Sequence, residues 1–95
     1  MAYKIVAKKR FVLKLEKILS YLEQEWGGKV SGNFLDKVDK RIESLKHHPY
    51  IGAPSHIIRN ARGILVTKHN RLFYKIEGKT IILLDIYDTR MKTYK

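Results

Sequence analysis

Three arginines in the second half of the chain are the side chains best suited to chemistry. Arg62, Arg71 and Arg90 each stand at one end of a segment whose apolar pattern is typical of a β-strand. Guanidinium groups bind phosphate oxygens through paired hydrogen bonds, so a cluster of them would suit the cleavage of an RNA strand. A tyrosine beside them would act as an acid or base, or stack on a nucleobase. The alternative is that the three arginines are ordinary solvated charges.

Other classes of reaction find no support in the sequence. The chain has no cysteine, which excludes a thiol nucleophile, a disulfide scaffold and a cysteine-based metal site. It contains no P-loop, HExxH or GxSxG motif, and its four histidines lack the spacing of ligands on a helix. We therefore expect no metal and no small-molecule cofactor. His47 and His48 favour a helix end, while His56 and His69 are expected in a loop and a turn.

The charge balance predicts an anionic partner. Lys and Arg number 20 and Asp and Glu number 9, a net charge of +11. Residues 46–95 carry +7 of it, from 10 basic and 3 acidic residues. Such a surplus attracts nucleic acid or an acidic protein. The 95 residues suffice for a single domain, residues 1–95. They contain neither a membrane-length apolar run nor a secretion signal, so we expect a cytoplasmic protein.

Two apolar stripes with helical spacing occupy the first half of the chain. Gly27-Gly28 separates them, because glycine ends a helix without a Cβ penalty, and Pro49 ends the second. Two helices joined by so short a link form an antiparallel hairpin. The stripes are Phe11, Leu15, Ile18, Leu19, Leu22 and Trp26, then Val30, Phe34, Val38, Ile42 and Leu45, with Lys37, Lys40, Arg41 and Lys46 on the solvent side of the second.

Strand patterns precede and follow the hairpin. Tyr3–Ala7 alternates weakly and predicts a first strand, and residues 49–61 form a loop. Gly63–Thr67, Arg71–Ile76 and Thr80–Tyr87 then predict a three-stranded antiparallel meander, with turns at 68–70 and 77–79. The predicted class is α+β in the order β-α-α-β-β-β, with the helical hairpin packed on one face of an antiparallel sheet.

The length of the last turn predicts which side chains face the helices. If residues 77–79 form a three-residue turn, Leu72, Tyr74 and Ile76 share the helix face with Ile82, Leu84 and Ile86. The opposite face then exposes an apolar strip formed by Phe73, Ile81 and Leu83. Exposed strips of this kind mark partner sites, so we expect a separate protein to bind here. Alternatives are cover by the C-terminal tail or by a second copy.

Short motifs follow one another between residues 42 and 90. They are the helix end Leu45-Lys46-His47-His48-Pro49, then Ile51-Gly52, Arg62, Arg71-Leu72-Phe73-Tyr74-Lys75-Ile76, and a last apolar strand that precedes Arg90. In this order they resemble the RelE/ParE toxin superfamily of bacterial type II toxin–antitoxin modules, the plasmid-stabilisation type. The shared pattern is L-x-x-x-P-x-x-G, an Arg, R-L-x-Y-x-[VI] and a final strand ending in Arg. With the order of the elements, the resemblance covers nearly the whole chain.

The resemblance implies a growth-inhibiting toxin. It also implies that a cognate antitoxin, a small acidic protein, binds the open face of the sheet. The apolar strip at Phe73, Ile81 and Leu83 would fit that partner. RelE-like members of the superfamily cut messenger RNA in the ribosomal A site. ParE-like members poison DNA gyrase and are not known as nucleases.

The RelE-like branch also implies roles for single residues. Arg71 matches the arginine that contacts the scissile phosphate, and Arg90 matches one implicated in stabilising the leaving group. Arg62 occupies the position of a catalytic lysine, and Tyr94 is the candidate for the late catalytic tyrosine. A second lysine of that branch is replaced here by Ile64.

Three functions follow from these observations. The two long helices and the Pro49–Gly52 segment are closer to ParE-like members, which favours a toxin that acts on DNA gyrase. The first alternative is a ribosome-dependent messenger RNA endoribonuclease. The second is an inactive relative or a plain nucleic-acid-binding module. None of the three involves a membrane.

Overall fold

The helical hairpin forms where the two apolar stripes predict it. In the computed structural model, which describes residues 2–91, α1 spans Lys9–Trp26 and α2 spans Gly28–His47. Gly27 alone joins them, with a φ of 92° that side chains other than glycine rarely adopt. The helices bury their apolar faces against each other and the sheet. The buried positions include Phe11, Ile18 and Leu22 in α1 and Phe34, Val38 and Leu45 in α2.

Five strands form one sheet in the order β1-β5-β4-β3-β2, so the predicted α+β class is confirmed. β1 pairs in parallel with β5, unlike the antiparallel sheet that we predicted. A parallel neighbour needs a long crossover, which the helical hairpin supplies. The strands are β1 Lys4–Ala7, β2 Ala53–Pro54 within the predicted loop, β3 Arg62–Thr67, β4 Asn70–Glu77 and β5 Thr80–Asp88.

The β4–β5 turn contains two residues rather than three, so the predicted register is wrong. Glu77 pairs with Thr80 across Gly78 and Lys79, and Tyr74 pairs with Leu83. Leu84 is then an extra residue, a β-bulge, because the next pair joins Phe73 to Asp85.

The bulge confines the error to the first half of β5. Between the turn and the bulge, Ile81 and Leu83 point to the helix side and Ile82 to the other, which reverses our prediction. Beyond the bulge the original alternation returns, with Ile86 in the core and Tyr87 on the opposite face, as predicted.

The core therefore lies between the helices and one face of the sheet. It contains Phe11, Ile18, Leu22, Phe34, Val38, Leu45, Ile64, Val66, Leu72, Tyr74, Ile81, Leu83 and Ile86.

We call the face away from the helices the second face. It is not an open apolar surface, because Phe73 is only 1% exposed. The Phe73 ring meets the Tyr87 ring edge to face, with centroids 5.3 Å apart, and packs over Gly63. Ile58, from the loop between β2 and β3, shares a depression with Leu84 and Tyr87. The loop thus folds back over this face.

Candidate functional site

Arg62 is held at the β2 side of the sheet. Its Nη1 donates hydrogen bonds to the carbonyl oxygens of Gly52, at 2.6 Å, and Tyr50, at 3.4 Å. Its guanidinium carbon lies 5.0 Å from the centre of the Tyr50 ring, a cation–π contact. Since it pairs with Tyr74 of the core, Arg62 lies on the helix side of the sheet. These contacts make it a brace for the segment after α2.

A buried tyrosine holds the same segment from inside. The Tyr74 hydroxyl donates to the carbonyl oxygen of Pro49 at 2.7 Å and accepts from the N–H of Gly52 at 3.0 Å. A Cβ at residue 52 would lie 2.7 Å from that hydroxyl, so only glycine fits. The P-x-x-G motif and the tyrosine of R-L-x-Y therefore form one structural unit, a role that sequence reasoning missed.

We expect Tyr74→Phe to lower the free energy of unfolding by about 2 kcal/mol, because it leaves the buried polar groups of Pro49 and Gly52 without their partner. Urea unfolding at pH 7 measures this. Burial raises the pKa of Tyr74, against the opposing effects of the Gly52 N–H and Arg62. The tyrosine contributes its stability fully below its unfolded pKa of about 10 and loses it as the pH rises further. The difference between the two proteins should thus shrink above pH ~10, and a constant difference would contradict this explanation.

Arg71 lies on the second face. It pairs with Leu65 of β3 and Tyr87 of β5, and it is exposed. Near the Tyr87 ring, Lys14 places its Nζ 4.4 Å from the ring centre. Arg71 and Tyr87 are therefore a cation and a ring on the same exposed surface.

A buried carboxylate anchors the start of α1 beside Tyr87. Asp85 is 3% exposed and accepts hydrogen bonds from Arg10 Nε at 2.9 Å and the backbone N–H of Ile86 at 2.8 Å. Lys14 Nζ forms an ion pair with it at 3.0 Å. Next to this cluster, Lys8, Lys9 and Arg10 line a depression of about 550 Å³.

Arg90 lies on the helix side, beyond the end of β5. Its Nε and Nη2 bind the two carboxylate oxygens of Asp88 at 3.0 and 2.6 Å. Its carbonyl oxygen accepts a hydrogen bond from the Tyr21 hydroxyl at 2.9 Å, and its guanidinium lies 5.4 Å from the centre of the Trp26 ring. Arg90 thus fastens the end of β5 to the tip of the helical hairpin.

The three arginines do not form the cluster that would suit RNA cleavage, one of the two alternatives that the sequence left open. Arg71 is on the second face, whereas Arg62 and Arg90 are on the helix side. Arg62 lies level with Tyr74, and Arg90 lies beyond the Asn70–Asp88 pair. Tyr74 and Asn70 are four residues apart in β4, which corresponds to ~13 Å along the strands. Tyr94 lies outside the described residues.

The expected partner strip at Phe73, Ile81 and Leu83 does not exist as an exposed surface. Ile81 and Leu83 are 0% and 2% exposed and belong to the core under the helices, because the two-residue turn reverses their direction. Phe73 lies on the second face as predicted, but it is buried there.

Sequence reasoning also missed a groove between α2 and β3. Its walls carry Lys37, Lys40 and Arg41 from α2 and Lys68 from the β3–β4 turn. The sequence predicted only that Lys37, Lys40 and Arg41 lie on the solvent side of the second helix. The signal was the i,i+3,i+4 spacing of Lys37, Lys40 and Arg41, which puts three cations on one stretch of the α2 surface.

Residues 2–91 contain neither a candidate metal site nor a candidate membrane span. No group of three histidine or acidic side chains in this range is arranged to hold a metal ion. No helix in the same range is both long and apolar enough to cross a membrane.

Comparison with known proteins gives both a family match and structural matches for this chain. Residues 5–93 match the family model described as the ParE toxin of type II toxin–antitoxin systems, parDE. The chain is similar to a chromosomal ParDE system from P. aeruginosa, with a TM-score of 0.78 and 14% identity over 92% of this chain and 96% of that one. A comparison with curated proteins finds no match.

Two further solved toxin–antitoxin complexes share the fold. They are the E. coli DinJ–YafQ toxin–antitoxin complex (TM-score 0.66, 12% identity, 98% of this chain and 99% of that one) and the Mycobacterium tuberculosis RelBE2 complex (0.57, 15%, 93% and 99%). At these identities the structures establish a common fold, while the family match spans nearly the entire sequence. Because the family model matches residues 5–93, the chain belongs to the ParE toxin family of type II toxin–antitoxin systems.

Proposed function

We propose that this toxin inhibits growth by binding DNA gyrase and does not cleave RNA. The observation that carries the proposal is that Arg71 and Arg90 lie on opposite sides of the sheet. RNA cleavage needs side chains at a single site that lie within hydrogen-bond distance of the phosphate, the attacking hydroxyl and the leaving oxygen. Arginines that point away from each other on opposite faces are badly placed to bind one phosphate.

The contacts of Arg90 give further support. Two hydrogen bonds to Asp88 occupy the guanidinium edge that would otherwise face a phosphate. The hydrogen bonds to Asp88 also raise the pKa of Arg90, against the opposing effect of burial. These contacts give Arg90 a structural role, which supports a toxin that does not use this residue to cleave RNA.

The second candidate is the ribosome-dependent endoribonuclease. It is favoured by one observation, the pairing of Arg71 with Tyr87 on the second face, close to Lys14. An arginine and a tyrosine on one surface suit a phosphate and a stacked base.

The regulating partner would be a small acidic antitoxin, met in the cytoplasm where gyrase and DNA are found. The net charge of +11 favours an acidic partner. The similar solved structures include toxin–antitoxin complexes.

The test is induced expression in a bacterium, with growth, DNA breaks and RNA 5′ ends followed in the same culture. Purified toxin is added in parallel to a gyrase supercoiling assay. We expect growth arrest, inhibited supercoiling and unchanged RNA ends, both for the wild type and for Arg71→Ala. Lys17→Ala, an exposed change on α1, is the control.

Two outcomes would overturn the proposal. New RNA ends that require ribosomes and vanish in Arg71→Ala would establish the endoribonuclease. Normal growth on expression of a folded, soluble toxin would establish an inactive relative or a nucleic-acid-binding module.

A further inference from the structure

The most exposed large apolar side chains of the described residues lie close together in the chain, on the segment that follows α2. They are Ile57 at 67%, Tyr50 at 62% and Ile51 at 52% exposure. Ala53 and Pro54, which form β2 between them, are exposed as well. Contiguous apolar side chains that remain exposed mark the sites where partners bind. We call residues 50–57 the edge segment, because β2 is the last strand of the sheet.

Buried hydrogen bonds fix the first half of the edge segment. The Tyr74 hydroxyl binds the carbonyl oxygen of Pro49 and the N–H of Gly52, the residues on either side of Tyr50 and Ile51. The backbone is thus held at both ends of this pair, while the two side chains remain in solvent. The P-x-x-G unit therefore presents its two middle residues to a partner.

A hydrogen-bonded turn fixes the second half of the edge segment, around Ile57. The Ser55 hydroxyl accepts hydrogen bonds from the N–H groups of Ile57 and Ile58, both at 3.0 Å. The N–H of Ser55 donates to the carbonyl oxygen of Ala61 at 2.8 Å, which closes the turn at its base. The conformation of the edge segment is therefore set before a partner binds, and this lowers the entropic cost of binding.

The surroundings of the edge segment are basic. No Asp or Glu occurs between Glu43 and Glu77, a stretch of 33 residues that contains six Lys or Arg. Among them, Arg59 follows the turn and is exposed, and the Arg62 guanidinium lies 5.0 Å from the centre of the Tyr50 ring. An apolar cluster flanked by cations fits a partner surface that is apolar at its centre and acidic at its rim.

The edge segment suits a protein partner better than a nucleic acid. Aliphatic side chains such as Ile51 and Ile57 neither bind phosphate nor stack on a base as an aromatic ring does. In a protein interface, by contrast, a few apolar anchors in fitting pockets provide most of the binding energy. Pro54 also has no N–H group to donate, so β2 is a poor template for the addition of a peptide strand. We therefore expect side chains rather than backbone groups to make the contact.

We infer that the edge segment is the part of the toxin that binds DNA gyrase, with Ile51 and Ile57 as its apolar anchors. This inference rests on the proposed function, which names gyrase as the target but no surface that contacts it. The inference predicts that the bound surface of gyrase contains an apolar pocket flanked by carboxylates. It also gives the buried hydrogen bonds of Tyr74 a functional consequence, because they shape the binding surface.

The test measures the affinity of the purified toxin for purified gyrase, together with inhibition of supercoiling. We compare the wild type, the edge variant Ile51→Asp/Ile57→Asp and the control variant Val12→Asp/Leu13→Asp. All four side chains are exposed and apolar, and the control pair lies near the start of α1, where helices tolerate acidic residues. We expect the edge variant to lose affinity by about 100-fold or more, because the anchors are lost and like charges then face each other. The control variant should bind within about threefold of the wild type.

A photo-crosslinker provides a second measurement that does not depend on the folding of the double variant. Because the chain has no cysteine, Ile57→Cys and Leu13→Cys each carry a single thiol-linked crosslinking group. With purified gyrase we expect a crosslinked product from residue 57 and none from residue 13. Mass spectrometry of the product then locates the pocket on gyrase.

Equal affinity of the edge variant and the wild type for gyrase, or no crosslink from residue 57, would overturn the inference. It would also be overturned by an edge variant that keeps its affinity for gyrase but loses binding to a short DNA duplex, or loses only self-association. The edge segment would then bind DNA or a second copy of the chain. Failure of the wild type to bind gyrase is a different result, because it overturns the proposed function as well.

Discussion

Replacing Asp88 with alanine is expected to lower the free energy of unfolding by about 3 kcal/mol, the largest effect of any single change considered. The Asp88 side chain is fully buried, and both of its oxygens bind Arg90. Asn70 also donates to it at 3.4 Å. Removal of the carboxylate leaves the guanidinium of Arg90, only 23% exposed, without its counter-charge. Urea unfolding monitored by circular dichroism measures the loss.

The pH dependence of Asp88 separates its charge from its shape. Burial by itself would raise the pKa of Asp88, but hydrogen bonds from Arg90 and Asn70 outweigh it and the pKa is lowered. A lowered pKa stabilises the fold above the unfolded value of about 3.9, and this stability is lost as the pH falls below it. The gap in stability between the wild type and Asp88→Asn should therefore be full at pH 7 and shrink below pH ~4.

The matched control for Asp88 is Asp36→Ala on the solvent side of α2. Asp36 is exposed, so the change should alter stability by less than about 0.5 kcal/mol. A loss of the same small size in Asp88→Ala would mean that the link between Asp88 and Arg90 contributes little.

Gly52→Ala is expected to destabilise the protein by about 2–3 kcal/mol through overpacking. The added Cβ would lie 2.7 Å from the Tyr74 hydroxyl and 2.9 Å from the carbonyl oxygen of Gly63. The second of these atoms belongs to a paired strand and cannot move without loss of the β2–β3 ladder. Thermal and urea unfolding of the purified variant test this directly.

A second glycine and a double variant sharpen the Gly52 prediction. Gly32 lies in α2 with no atom near its added Cβ, so Gly32→Ala should stabilise the helix by about 1 kcal/mol. In the Tyr74→Phe background the closest of three contacts is gone, while the ring carbon at 3.0 Å and the Gly63 carbonyl oxygen at 2.9 Å remain. Gly52→Ala should therefore cost less there than in the wild type. Equal costs in both backgrounds would mean that the hydroxyl contributes no strain.

The candidate site divides into parts that the sequence predicted and parts that it did not. The strand ends that carry Arg62, Arg71 and Arg90 follow from local patterns, since β-strands alternate and turns contain glycine or polar residues. The positions of these arginines in space do not follow from local patterns. A strand side chain points to one face or the other according to register, which depends on pairing with a distant segment.

The groove between α2 and β3 shows the same limit of local patterns. The lysines of α2 were visible as a polar side of an amphipathic helix, and such a side usually faces only water. Their meaning depends on β3, which packs beside α2 and turns that side into the wall of a groove.

The sequence by itself determined the order of the elements, the helical hairpin and the meander, because spacing of apolar residues and the placement of glycine and proline act over a few residues. It also carried the match to the toxin family over residues 5–93. Only the tertiary structure decided that Ile81 and Leu83 lie in the core and that the arginines separate. Ile81 and Leu83 are in the core because the β4–β5 turn is one residue shorter than predicted, and alternation along a strand turns a shift of one position into a change of face. The arginines separate because pairing between strands puts Arg62 on the same face as Tyr74 and Arg71 on the same face as Tyr87.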